Sequence, residues 1–181
     1  MLGKLVRKVT TGESNYTTKR CANADKTLSI RDTYVAWGNL ARLGRLRPWA
    51  FTLLINYVNP YSKSVHFRVT TLERGLCTAV MKEQTRTHNP FNSIHAGALF
   101  TFGETVSAMA VFSRLGTKSR AIPTGANIEY FKKARGLITA TAEFSPGELA
   151  GRQEKTSELT IVDSYLDTVA KMSIQWVIDT K

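Results

Sequence analysis

Cysteine is scarce in this sequence, which has only Cys21 and Cys77 among its 181 residues. Two cysteines cannot build the disulfide framework of a small secreted domain, and no CxxC motif or His/Cys cluster offers zinc a tetrahedral site. We therefore expect neither structural disulfides nor a metal. This cysteine usage favours a reducing compartment, either the mitochondrial matrix or the cytosol.

Proline, glycine and long apolar runs are also scarce. The chain has 5 Pro and 12 Gly, with 43% hydrophobic and 22% charged residues, so its composition is that of a packed globular protein rather than a disordered one. The apolar run WAFTLLINYV is interrupted by Asn56 and ended by Asn59. No stretch approaches about 18 uninterrupted apolar residues, so a membrane span is not expected, and the chain length fits one domain with one core.

Acidic residues are few in the N-terminal quarter, where residues 1–47 hold ten Lys or Arg against three Asp or Glu. Residues 1–9 place apolar side chains at helical spacing with basic ones between them, and a Ser/Thr-rich stretch follows. This composition is typical of a mitochondrial presequence, so we interpret residues 1–28 as a basic leader that directs the protein to the matrix. The alternative is a solvated basic tail, or one that binds an acidic partner, on a cytoplasmic protein.

Hydrophobic periodicity predicts the order of the secondary structure elements. In chain order these are two accessory helices, a β-hairpin, one long apolar helix and four strands: residues 29–43, 49–58, 64–73 with 76–85, 95–115, 122–132, 137–144, 153–162 and 168–178.

One long buried helix between a leading hairpin and a set of later strands predicts an α+β domain. A curved antiparallel sheet would wrap the helix, and this order of elements is the hotdog arrangement. We expect residues 29–181 to form one such domain, with the hotdog core at about 60–181.

Glu104 is the most informative residue of the long apolar helix, because burying a carboxylate costs several kcal/mol unless something compensates it. Gly97 lies seven residues earlier, close to two turns, so it shares a helix face with Glu104 about 10 Å away along the axis. Thr101 lies on the same face and is expected to contact substrate. The alternative to a catalytic Glu104 is a structural one, neutralised by Arg120 or Lys132.

The helix begins near His95 and Ala96, where unpaired N–H groups and the positive end of the helix dipole converge. A thioester carbonyl placed against the Ala96 or Gly97 amide would become more electrophilic. Glu104 could then attack the carbonyl or deprotonate a water that does, and partial burial would raise its pKa. The helix entrance is therefore suited to polarising a carbonyl group or binding an anion.

Two segments resemble the hotdog-fold acyl-CoA thioesterases. The first resembles their entrance motif: Asn89, His95, Ala96, Gly97 and Glu104. The second, NIEYFKKARG at residues 127–136, looks like the strand that follows the helix in that superfamily. The similarity covers about residues 48–181 and is strongest to the branch whose members are named thioesterases by inference.

The resemblance implies a role for each matching residue. Glu104 matches the catalytic carboxylate, Asn89 the side chain that positions water or thioester, His95 the residue at the helix start, and Gly97 one of two glycines. Ala96 departs from the second glycine, which leaves open which amide faces the thioester oxygen. Taken alone, His95 is equally well a helix cap, and Asn89 is a turn residue.

Four further residues are predicted to bind substrate. Thr124 matches a polar residue that assists water in some relatives. Lys132, Lys133 and Arg135 are expected to meet the phosphates of coenzyme A or the acidic face of an acyl carrier protein. The alternative for these three cations is a solvated strand end.

The sequence as a whole predicts hydrolysis of an acyl-CoA or related thioester by a homodimer or homotetramer without a cofactor. The resemblance implies that two subunits together build one site. Two alternatives remain: a non-catalytic hotdog that binds acyl-CoA or acyl carrier protein, and a subunit of a larger assembly, such as a mitochondrial ribonucleoprotein. The latter would be attached through the basic N-terminus, the one segment expected to contact nucleic acid.

The leader interpretation predicts that residues 1 to about 25 are dispensable for folding, because they hold few core-type residues and precede the first helix signal. A chain that starts at Ala24 should express in soluble form and unfold at the same temperature as the full chain. Loss of soluble protein would mean that the leader packs on the domain.

Overall fold

The computed structural model describes residues 52–53, 55–57, 59–116 and 119–180. The leader and the first predicted helix lie outside these residues. Residues 52, 53 and 55–57 are helical, which agrees with the second predicted accessory helix.

The described chain contains one long helix and six strands. The central helix is Ala96–Arg114, and short 3-10 helices form at Ser62–Val65 and Thr85–Thr87. The strands are β1 Phe67–Glu73, β2 Leu76–Lys82, β3 Arg120–Tyr130, β4 Leu137–Glu143, β5 Gly151–Asp163 and β6 Thr168–Thr180.

The predicted hairpin was too long at both of its outer ends. β1 begins three residues late because Ser62–Val65 form a 3-10 turn and His66 has a left-handed backbone with φ 49°. β2 stops at Lys82 because Gln84 and Thr87 exchange hydrogen bonds that start the second 3-10 helix. β3 lies two residues earlier than predicted, and the remaining boundaries agree within two residues.

The strands form one antiparallel sheet in the order β1-β2-β4-β5-β6-β3. Its inner face follows the alternation seen in the sequence: Met172, Ile174, Trp176 and Ile178 are all buried on β6. β3 pairs with β6, so the strand that follows the central helix joins the far edge of the sheet.

The sheet wraps the central helix, which confirms the predicted α+β hotdog fold. Ten helix residues are buried, and the helix contacts every strand, most closely β4 and β2. At Gly103 a Cβ atom would lie 3.2 Å from the Met172 sulfur and 3.3 Å from a Leu159 methyl carbon, so glycine permits the close approach of helix and sheet.

Hydroxyl groups fasten the helix to the inner face of the sheet. The Ser107 and Ser157 hydroxyls lie 2.6 Å apart, and the Trp176 indole N–H donates to Ser157 Oγ at 2.7 Å. All three residues are buried. Because each polar group has a partner, the network adds specificity to the packing without leaving an unpaired donor.

By length and composition alone, the central helix is apolar enough to cross a membrane. Its position in the structure argues against a membrane-spanning role, because the helix packs against the sheet with most of its surface buried. It is the core helix of the domain.

The two edges of the sheet differ. At the β1 edge, the Val69 N–H donates to Thr52 Oγ1 at 3.1 Å, and Ile55 of the same helical segment is buried. At the β3 edge most residues are exposed on both faces, Ile122 among them. The N-terminal segment therefore covers part of one edge, whereas β3 presents backbone groups that a further strand can pair with.

The Ser157→Ala variant should lose about 2–4 kcal/mol of unfolding free energy, because the buried Trp176 N–H and Ser107 hydroxyl would both lose a partner. Chemical denaturation measures the loss. The exposed Ser145→Ala variant serves as the control and should change stability by less than about 0.5 kcal/mol. Equal stability of both variants would contradict the role assigned to the network.

Candidate functional site

Asn89 organises the loop that leads into the central helix. Its side-chain carbonyl accepts hydrogen bonds from the backbone N–H of Phe91 at 2.9 Å and of Ser93 at 3.3 Å, and its amide donates to Ser93 Oγ at 3.0 Å. These are the bonds of a turn-forming asparagine. The structure thus shows the turn role for Asn89, and its predicted action on water or thioester stays a prediction.

His95 is the N-cap of the central helix. Its Nδ1 accepts from the Gly97 N–H at 2.9 Å, so the amide of Gly97 is already engaged within the chain. The Ala96 N–H donates to no acceptor among the described residues. Of the two amides that the sequence left as candidates, Ala96 is therefore the one available to a carbonyl oxygen.

A cavity of about 290 Å³ opens beside the helix entrance. Tyr130, at the end of β3, donates from its hydroxyl to the Ala96 carbonyl at 3.3 Å, and burial raises the pKa of this phenol. The phenol therefore stays protonated and ties β3 to the helix start. The lining residues come from the entrance loop, the first helical turns and the segment after β3: Asn89, Ser93, Ile94, Ala96, Leu99, Tyr130, Phe131, Lys132, Lys133 and Ala134.

Glu104 lies on the less buried face of the central helix and does not line this cavity. Burial raises the pKa of its carboxyl, and a hydrogen bond of 3.4 Å from the Thr105 hydroxyl only partly offsets this. Among the described residues Glu104 has no ion-pair partner. Within the described part of one chain, neither Arg120 nor Lys132 neutralises Glu104.

Lys132 instead pairs with two carboxylates of the β5–β6 turn. Its Nζ lies 2.7 Å from Asp163 Oδ2 and 2.7 Å from Asp167 Oδ2. The hydrogen bonds to Asp163 and Asp167 raise the pKa of Lys132, and the bond from Lys132 lowers the pKa of Asp163. The charge of Lys132 is thus already balanced, which the sequence did not predict.

Lys133 and Arg135 have no carboxylate partner among the described residues. The Lys133 ammonium lies 5.8 Å from the centroid of the Phe91 ring, a cation–π distance, and the Arg135 Nε donates to the Asn92 carbonyl at 3.0 Å. Both cations therefore border the entrance loop beside the cavity and keep their charge available.

The two threonines predicted to bind substrate lie apart from the cavity lining. Thr101 is buried, and its hydroxyl donates to the Gly97 carbonyl at 2.9 Å within the helix. Thr124 is exposed on β3 at a register shift, six residues before Tyr130, and its hydroxyl donates to the Gln175 carbonyl at 3.4 Å.

The structure thus brings four of the predicted residues together around one cavity: Asn89, Ala96, Lys132 and Lys133. Tyr130 belongs to this set and was missed. Its signal was present, because Tyr130 lies inside the segment 127–136 that carried the resemblance. Nothing in the sequence indicated that its hydroxyl would donate a hydrogen bond to the Ala96 carbonyl at the start of the helix.

Within the described ranges, no group of three or more His, Cys, Asp or Glu side chains is placed to hold a metal. Burial raises the pKa of the Cys77 thiol to about 12, so this cysteine is protonated at neutral pH and is a poor nucleophile.

Comparison with known sequences identifies a family. The profile of the family described as a domain of unknown function, DUF4442, matches residues 47–178. No curated protein matches the chain.

Several solved structures share the fold. The structural-genomics protein APC5556 has a TM-score of 0.69 and 20% identity, covering 82% of this chain and 99% of that one. A variant of a thioesterase from Staphylococcus aureus has a TM-score of 0.59 and 21% identity, covering 67% and 99%. A thioesterase from Haemophilus influenzae has a TM-score of 0.63 and 17% identity, covering 74% and 92%. These likenesses confirm the hotdog fold.

Proposed function

Because the chain belongs to the DUF4442 family and has the hotdog fold, we propose that it is a thioesterase that hydrolyses an acyl-CoA or related acyl thioester. The observation that carries the proposal is Glu104: a half-buried carboxylate with a raised pKa and no ion-pair partner among the described residues. The solved relatives named thioesterases share the fold and supply the reaction class.

In the proposed reaction, the thioester carbonyl oxygen accepts a hydrogen bond from the Ala96 N–H at the positive end of the central helix. Ionised Glu104 takes a proton from a water molecule as the water oxygen bonds to the carbonyl carbon. The tetrahedral intermediate then expels the thiolate, which takes the proton back from Glu104, leaving a free acid and a thiol. Direct attack by Glu104, followed by hydrolysis of the anhydride, is the alternative route.

A single chain does not bring these two groups together. Ala96 and Glu104 are eight residues apart, about 12 Å along the helix axis, which is farther than a glutamate side chain bridges. Glu104 is also missing from the cavity lining. We therefore propose that Glu104 of the partner subunit completes the site at each Ala96.

The exposed β3 edge is where the two chains are proposed to pair. A second β3 strand would satisfy the edge N–H and C=O groups, and the β1 edge is partly covered by Thr52. Pairing across a two-fold axis gives both subunits the same contact, as closed dimers require. Association of two dimers into a tetramer is compatible with this pairing.

Lys133 and Arg135 are proposed to contact the phosphates of coenzyme A or acidic groups of an acyl carrier protein. Both border the entrance loop and lack a carboxylate partner among the described residues. Lys132 is the weaker candidate of the three because Asp163 and Asp167 balance its charge. Localisation in the mitochondrial matrix remains a proposal that rests on the leader.

Binding of an acyl-CoA or an acyl carrier protein without turnover is the second candidate function. The engagement of Asn89 within its own loop favours it, since a side chain that holds a turn is less free to orient water. The third possibility, assembly into a ribonucleoprotein, depends on the basic N-terminus. Thioester hydrolysis by the pure protein separates the enzyme from the binding module.

The Glu104→Gln variant should lower thioester hydrolysis by at least about a hundredfold, the scale of losing a general base. In the unmodified protein the rate should rise with pH through the raised pKa of Glu104 and level off above it, because the ionised form is the base. Steady-state kinetics across a pH series measures both effects.

The same variant should keep or raise the melting temperature at neutral pH. Folding raises the pKa of Glu104, so above the unfolded-state pKa the ionised carboxylate costs the native state free energy that glutamine does not.

Glu143→Gln, at an exposed position of β4, is the matched control and should retain full activity. Unchanged activity of Glu104→Gln would refute the mechanism.

The shared site predicts that two inactive variants restore activity when mixed. Ala96→Pro removes the amide that faces the carbonyl but keeps the helix, because proline is favoured at the first helical position and the ψ of 140° at His95 suits a residue before proline. After subunit exchange with Glu104→Gln, half the dimers should be mixed, each with one intact site. About a quarter of the original activity should return.

Light scattering should show at least a dimer before and after the exchange. If activity stays absent although exchange is demonstrated, for instance by mass spectrometry of isotope-labelled chains, both groups act within one chain. A stable monomer would refute the shared site.

A further inference from the structure

Large apolar side chains are exposed together at one end of the sheet. They come from four separate segments: the entrance loop, the residue after β3, the start of β4 and the β5–β6 turn. We call this set the apolar rim, and its members are Phe91, Phe131, Leu137, Tyr165 and Leu166.

Backbone and side-chain contacts place the segments that carry the rim next to one another. Lys133 lies over Phe91, and the neighbouring Lys132 reaches Asp163 and Asp167, the residues on either side of the β5–β6 turn. The Phe131 N–H donates to the Val169 carbonyl at 2.9 Å, just beyond that turn.

Leu137 lies beside the same turn. Its neighbour Ile138 pairs with Asp163, the residue at which the turn begins. The four segments of the rim therefore lie side by side at one end of the sheet.

Leu166 occupies its position at an energetic cost. Its φ is 67°, in the left-handed region where glycine and asparagine are tolerated and leucine is disfavoured. The strained turn presents Tyr165 and Leu166 at 85% and 81% exposure, where they contribute almost nothing to the core. An apolar pair kept at a strained, solvent-facing tip requires a reason outside the fold.

The charges around the rim favour an anionic partner. Three carboxylates there are already engaged: Asp163 and Asp167 hold Lys132, and Glu83 accepts from the Gly136 N–H and lies 2.7 Å from His88 Nε2. By contrast, three cations beside the rim have no ion-pair partner among the described residues: Lys82, Lys133 and Arg135.

We propose that the apolar rim docks the protein on an anionic lipid surface. Aromatic and aliphatic tips enter the boundary between headgroups and acyl chains, while lysine and arginine beside them meet the phosphates. The rim residues come from four separate segments, which suits a deformable lipid surface better than a folded partner. Phe131 and Lys133 also line the cavity, so docking turns its opening toward the bilayer. The inference does not rest on thioester hydrolysis.

The test compares two double variants of the full chain on phosphatidylcholine vesicles with and without phosphatidylserine. Tyr165→Ser with Leu166→Asn removes the turn tip, and asparagine relieves the left-handed strain, so folding is retained. The control, Leu53→Gln with Tyr57→Gln, removes a leucine and a tyrosine of comparable exposure from the helical segment near β1.

Vesicle flotation should show that the unmodified protein binds serine-containing vesicles more tightly than neutral ones, and less tightly as salt rises. The turn variant should lose at least about tenfold in partitioning, and the control variant less than about twofold. Equal binding by all three proteins would assign attachment to the basic leader and overturn the proposal. No vesicle binding would overturn it directly.

Light scattering and thermal unfolding of the same proteins complete the test. Both double variants should keep the oligomeric state and the melting temperature of the unmodified protein within a few degrees. A change of oligomeric state in the turn variant would show that the rim is a contact between copies of this chain, which also overturns the proposal.

Discussion

The close approach of the central helix to β5 and β6 at Gly103 governs the rest of the structure. A Cβ atom there would lie 3.2 Å from the Met172 sulfur and 3.3 Å from a Leu159 methyl carbon, so glycine lets the helix lie against the sheet in this rotational setting. The next residue, Glu104, is turned about 100° away from that contact, because an α-helix has 3.6 residues per turn. The packing that buries Gly103 therefore leaves Glu104 on the less buried face.

The rotation of the central helix about its own axis also determines which residues lie on its less buried face. Gly97, Phe100, Glu104 and Ala108 recur at intervals of three and four residues, and all are less buried than the helix residues between them. The face that they form begins at the helix N-terminus beside the cavity and runs past the carboxylate. A second chain laid along this face would meet the amide at one end and Glu104 farther along.

The elements with strong local patterns could be predicted from the sequence. The central helix was placed within one residue at each end, because its apolar length, His95 and Gly116 mark it clearly. The turn at Ser62–Val65 was missed, since a single 3-10 turn has no periodicity and was read as part of β1. The pairing of β3 with β6 could not be predicted from local sequence patterns, because the two strands are about 40 residues apart in the chain.

The candidate site shows the same difference between features set by local sequence and features set by long-range contacts. Asn89, Ala96 and Lys133 were identified because they lie in short segments with recognisable spacing, and the fold brings them to one cavity. The partners of Lys132 were missed because Asp163 and Asp167 come from a turn more than 30 residues later. For the same reason the hydroxyl of Tyr130 could not be placed on the Ala96 carbonyl.

Glu104 differs from the other buried polar groups of the described chain. The hydroxyls of Ser62 and Thr105 lie 3.0 Å apart, Ser107 pairs with Ser157, and among the described buried side-chain atoms Asn56 Oδ1 alone lacks a partner. Within this well-paired interior, Glu104 has a long hydrogen bond from Thr105 and no opposite charge. A carboxylate so placed costs the folded state free energy, and a glutamine of the same size would not. Stability therefore does not account for an acid at this position, and this is the physical ground on which a proton-accepting role is proposed for Glu104.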